Sequence, residues 1–176
     1  MKKIFWGFLL IFIDINIGSG SFKIDLLPDF VGEILLLYGM KELQNESRHF
    51  SDYLTLAKGF IVVSVCSFVI GLLVQSVLIN IVISIVSVVL FIILSYHIVK
   101  GIADIQDKYS VYMEAEALYS CWVVIAVCTA MGILVYIIQF LAIIYFVIML
   151  LVTILFLIKL STAKTKYEKI LACEEI

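Results

Sequence analysis

Gly59 to Val99 reads GFIVVSVCSFVIGLLVQSVLINIVISIVSVVLFIILSYHIV, and these 41 residues contain no Asp, Glu, Lys or Arg. A helix needs roughly 20 apolar residues to cross the hydrocarbon core of a bilayer. The run is too long for one crossing and sufficient for two. Residues 117–158 repeat the pattern, with 42 residues free of Asp, Glu, Lys and Arg. Two such runs decide the fold class: all-α, an integral membrane helical bundle. Of the 176 residues, 64% are hydrophobic and 15% charged, against about half and about a quarter in soluble domains.

The placement of charge predicts six transmembrane helices in a single membrane domain, 1–176. They run over about 3–18, 28–43, 59–77, 80–110, 118–138 and 140–160, with a charged tail over 161–176. Turns are expected near Asn80 and Gln139. Met1-Lys2-Lys3 followed by Ile4 to Ile13 resembles the start of a signal peptide. Asp14 and Asn16 interrupt that outline, so an uncleaved first helix is expected. Gly18-Ser19-Gly20-Ser21 reads as a flexible turn. It is no nucleotide loop, because no predicted strand precedes it and no third glycine follows at the right spacing. Pro28 is tolerated in the first turn of the second helix, with Asp25 or Leu27 as its cap. Residues 44–58 read as a loop or surface helix. From Lys100 an amphipathic continuation places Ile102, Ile105 and Tyr109 on one face, and 111–117 is a short acidic connection.

Lys and Arg set orientation. With six spans, eleven of the twelve lie on the side of both termini, and Lys23 alone lies on the other. Both termini are therefore expected in the cytoplasm. No basic cluster suits nucleic acid. The four cysteines, Cys66, Cys121, Cys128 and Cys173, form no C-x-x-C pair and imply neither a disulfide framework nor a zinc site. The expected interactions are with the lipid bilayer, and with a membrane-protein partner or a second copy of the chain. No cofactor is called for.

The carboxylates of the first hairpin are the candidate chemistry. At about 1.5 Å per residue, Asp14 lies roughly 16 Å from Lys3, while Glu33 and Asp29 lie roughly 12 and 18 Å from Lys41. Asp14, Asn16, Asp29 and Glu33 form the candidate polar cluster, and Asp29 and Glu33 share a helix face at i, i+4. An unpaired charge at the bilayer centre costs about 2.5–3.5 kcal/mol on the mildest scale. The carboxylates must therefore face one another, the bundle or water. One reading is a proton- or cation-binding site. The other is a short hairpin that does not cross the full thickness, with Asp25 and Asp29 as caps. Ser64, Ser67, Gly71 and Gln75, with Asn80, Ser84 and Ser87, form a stripe that fits a packing seam or, as a second reading, a polar path. Ala126, Cys128, Ala130 and Gly132 give the fifth helix a similar face.

No catalytic motif is present, and no enzyme is expected. His49 and His97 lack an H-E-x-x-H context, no G-x-S-x-G elbow occurs, and no Gly-x-Gly-Asp segment occurs.

Phe12-Ile13-Asp14-Ile15-Asn16-Ile17, then Ile24-Asp25-Leu26-Leu27-Pro28-Asp29-Phe30-Val31-Gly32, then Gly39-Met40-Lys41-Glu42-Leu43 resemble a shared stretch. It belongs to a group of small uncharacterised multi-pass membrane proteins of Gram-positive bacteria. The likeness covers about the first quarter of the chain. It implies a bacterial inner-membrane protein and carries no activity with it. The expected function is a structural or accessory membrane component that binds a partner through 100–116 or 44–58. The alternative is a small proton- or cation-coupled transporter or channel that uses the first-hairpin carboxylates.

Overall fold

The computed structural model describes residues 1–13, 16–19, 22–25, 29–73, 77–135 and 141–174. In chain order the elements are α1 (Lys2–Phe12), β1 (Asn16–Ser19), β2 (Phe22–Asp25), α2 (Asp29–Glu42), α3 (Arg48–Asp52), α4 (Leu54–Leu73), α5 (Val77–Tyr109), α6 (Ala115–Val135) and α7 (Leu141–Glu174). The fold is a helical bundle, with a two-stranded antiparallel sheet among the described residues. It divides into two compact units, Met1–Leu94 and Ser95–Ile176.

The first expected helix, 3–18, is corrected. α1 stops at Phe12, where the Ile13 N–H bonds back to Leu9. The chain then forms an antiparallel pair with register Asn16↔Asp25, Ile17↔Ile24, Gly18↔Lys23 and Ser19↔Phe22. β-Branched Ile15 and Ile17 with Gly18 are weak helix formers. Gly18 and Ser19, expected in a flexible turn, belong to β1; Gly20 and Ser21 lie outside the described residues. Asp25, one of the two expected caps, ends β2, and Leu27, the other, lies outside the described residues.

α1 and α2 approach each other backbone to backbone. A Cβ on Gly7 would meet the Gly32 carbonyl oxygen at 2.8 Å, and one on Gly32 would meet the Gly7 carbonyl oxygen at 2.8 Å. A Cβ on Gly39 would meet the Ile4 amide nitrogen at 2.8 Å. Buried Ile4, Phe8, Leu36 and Met40 fill the space around these contacts. At the open end of the pair, Lys3 forms an ion pair with Glu42.

With 11 and 14 residues, α1 and α2 are about 16 and 21 Å long. Neither reaches across a core of about 30 Å. The expectation of six full spans is therefore not met among the described residues. Three helices are long and apolar enough to cross a membrane: α4, α5 and α7. In α6 the apolar stretch Ala115–Met131 is shorter. Their surfaces fit lipid: Val62, Leu78, Val82, Val127, Ile143 and Phe146 are all exposed, and in water such a surface would be costly.

Four boundaries also differ from expectation. α4 begins at Leu54, after the short α3, whose cap is Ser47: its Oγ accepts from the His49 N–H at 3.1 Å. Asn80 lies inside α5 rather than at a turn. The connection before α6 is 110–114. Finally, α7 continues through the charged tail to Glu174, where Ala163, Lys164, Lys166, Glu168 and Lys169 are good helix formers.

In the second unit the buried residues include Ile98, Ile102, Ile105, Met113, Phe156 and Leu160. Side chains from α5 and α7 hold the α5–α6 turn there. Gln106 Oε1 accepts from the Met113 N–H at 2.8 Å and the Ala115 N–H at 3.2 Å. Ser110 and Glu114 adopt left-handed backbone, with φ of 52° and 60°. The Lys159 ammonium donates to Glu114 at 2.5 Å, and Lys166 donates to the Tyr112 carbonyl at 2.6 Å.

Candidate functional site

Glu33 lies nine residues before Glu42 on α2, about 13 Å along the helix from the Lys3 ion pair. It is 2% exposed. A carboxylate so placed needs hydrogen-bonding partners to offset its desolvation. One comes from the middle of α4, where the Ser64 hydroxyl donates to Glu33 Oε1 at 2.5 Å.

Around this pair lies a cavity of about 360 Å³ in the first unit. Its polar wall is Glu33, Ser64, Ser67, Ser84 and Ser87. Its apolar wall includes Phe30, Phe60, Phe68 and Phe91. Helical spacing explains why these residues converge. Phe60, Ser64, Ser67 and Phe68 follow one another at i, i+4, i+7 and i+8, and Ser84, Ser87, Val88 and Phe91 at i, i+3, i+4 and i+7. Each set is one face of a 3.6-residue helix. The rings support each other: Phe30 meets Phe68 edge to face at 6.1 Å, and Phe91 meets Phe8 at 6.4 Å and Phe12 at 6.2 Å.

The candidate cluster is therefore regrouped. Asp14 lies outside the described residues. Asn16 opens β1 opposite Asp25, and its side chain lies outside the described residues. Asp29 opens α2, and its side chain also lies outside them. Glu33 is the one member whose surroundings are described, and its partner is Ser64 on α4. Of the stripe expected as a packing seam or a polar path, Ser64, Ser67, Ser84 and Ser87 line the cavity, while Gln75 and the side chain of Asn80 lie outside the described residues. A Cβ at Gly71 would meet nothing within 4 Å, so that glycine marks no close approach. The four phenylalanines were not anticipated, although their spacing relative to the serines carried the signal.

Among the described residues no group of three His, Cys, Asp or Glu side chains could hold a metal ion. A single carboxylate with four hydroxyls can bind one positive charge or one proton. The outline is that of a helical bundle with membrane-length helices and an acidic, hydroxyl-lined cavity among them. Comparison of the chain with protein families, with curated proteins and with solved structures finds no match.

Proposed function

We propose that the protein is a small membrane transporter or channel for protons or cations, with Glu33 as its binding group. One observation carries this reading: a buried carboxylate, bonded to a serine at the middle of an apolar helix, faces a cavity lined by three further serines. Ionisable groups at such depth are expensive and mark ion or proton paths.

A structural or accessory component would need 100–116 or 44–58 as its partner surface. Ile102, Ile105 and Met113 in the first segment, and Phe50 and Ala57 in the second, are buried within the chain itself. The lysine and arginine bias supports cytoplasmic termini, and the first-quarter resemblance supports a bacterial inner membrane.

Flux into proteoliposomes tests the proposal. Proton or alkali-cation flux above that of empty liposomes, lost in Glu33→Gln, is the expected result. Flux that is absent in the wild type across several pH values, or that survives in Glu33→Gln, would overturn it.

A further inference from the structure

The cavity's size, charge and lining say more than that a cation binds. We propose that the Glu33 cavity receives a small lipophilic ammonium ion. Its charged nitrogen would sit on Glu33 and the serines, and its hydrocarbon part on Phe30, Phe60, Phe68 and Phe91. The proposal deepens the cation-handling reading and rests on it.

Volume comes first. The space of about 360 Å³ is many times the roughly 10–15 Å³ that one water needs by the same measure. A directly held Ca²⁺ takes six to eight oxygens at about 2.3–2.6 Å, and Mg²⁺ six at about 2.0–2.1 Å. Among the described lining residues five side chains carry oxygen, Glu33 and four serines, and Glu33 Oε1 already accepts from Ser64. An inorganic ion would have to keep its water, and that water would press against four phenyl rings. Sites that bind small organic molecules have the opposite character: mostly apolar walls, a few fixed polar groups and volumes of about 300–1,000 Å³.

Charge comes second. Glu33 is the one acidic residue among the described lining residues. It neutralises a single positive charge, and a divalent guest would leave a net charge in a low-dielectric site.

The rings come third. Phenyl faces attract ammonium groups, most strongly where water is excluded. Four phenylalanines around one acid are redundant for an alkali ion. They suit a guest that is cationic at one end and apolar at the other. The hydroxyls of Ser67, Ser84 and Ser87 can accept the remaining N–H bonds of a protonated amine.

The test is calorimetric titration of the full chain in detergent with 2-phenylethylammonium. The controls are the neutral isostere 2-phenylethanol and an excess of sodium. Saturable binding that neither control displaces is expected. Glu33→Gln keeps the shape and should weaken binding roughly 10- to 100-fold, the loss of a charge-assisted hydrogen bond. Phe68→Leu should weaken it about 3- to 30-fold, the range of a cation–ring contact. Ser67→Ala, the smallest change, should weaken it less than either. Absence of binding, equal binding by Glu33→Gln, displacement by 2-phenylethanol or displacement by sodium would each overturn the proposal. Alkali-cation flux that depends on Glu33 without phenylethylammonium binding would sink this inference and leave the transport reading standing. Glu33-dependent binding without any flux would do the reverse.

Discussion

At the residue scale, the contacts with least slack are the glycines between α1 and α2. Gly32→Ala would drive a methyl group to 2.8 Å from the Gly7 carbonyl oxygen, and backbone cannot rotate aside as a side chain can. Overpacking of this kind costs about 1–3 kcal/mol, so the thermal midpoint in detergent should fall clearly. Gly71→Ala has open space and gains up to about 1 kcal/mol of helix propensity. An equal fall in both variants would refute the close approach. Glu114 sets a second test. The hydrogen bond from the Lys159 ammonium holds its carboxyl below the ordinary value of 4.5. A carboxylate with a lowered folded pKa contributes stability above its unfolded pKa and loses it as pH falls through the folded one. The midpoint difference between wild type and Glu114→Gln should thus be largest above pH 4.5 and shrink in acid. A difference constant into acid would contradict the pairing.

At the element scale, the α5–α6 turn depends on the two amides that Gln106 accepts. Gln106→Leu leaves both without that acceptor and should cost about 1–3 kcal/mol per buried amide, while Gln106→Glu keeps an acceptor oxygen. Hydrogen exchange at Met113 and Ala115 reports the outcome: unchanged protection in Gln106→Leu would mean the amides are held by something else. The element scale also shows where sequence reading succeeds. The two long charge-free runs marked α4 to α7 as apolar helices, because no other element absorbs so many consecutive apolar residues. The amphipathic end of α5 from Lys100 keeps a helical period, whereas the turn expected at Asn80 falls inside the helix. The segment around Ile15 to Ile17 failed because a short apolar run reads alike as helix or strand. Glu33 was recognised as a carboxylate that must be satisfied. Its pairing with Ser64 was not, because spacing along one helix defines a face and never says which other helix meets it.

At the scale of the whole molecule, the proposed insertion can be read through its cysteines. Cys66 and Cys173 are both exposed, but Cys66 sits in the charge-free run and Cys173 beyond Lys164, Lys166 and Lys169. A membrane-impermeant maleimide should label Cys173 in inside-out vesicles and not in right-side-out ones, and should miss Cys66 in both. Labelling of Cys173 from the outside would reverse the proposed orientation. The glycine contacts of the first hairpin bear on chain length as well. One residue inserted between Gly32 and Gly39 turns everything beyond it by 100° and advances it by about 1.5 Å, which puts a side chain where Gly39 meets Ile4. The turn over 43–46 is not under that constraint. Variation in length among natural or engineered versions of this chain should collect at that turn, while the interval from Gly32 to Gly39 keeps its count.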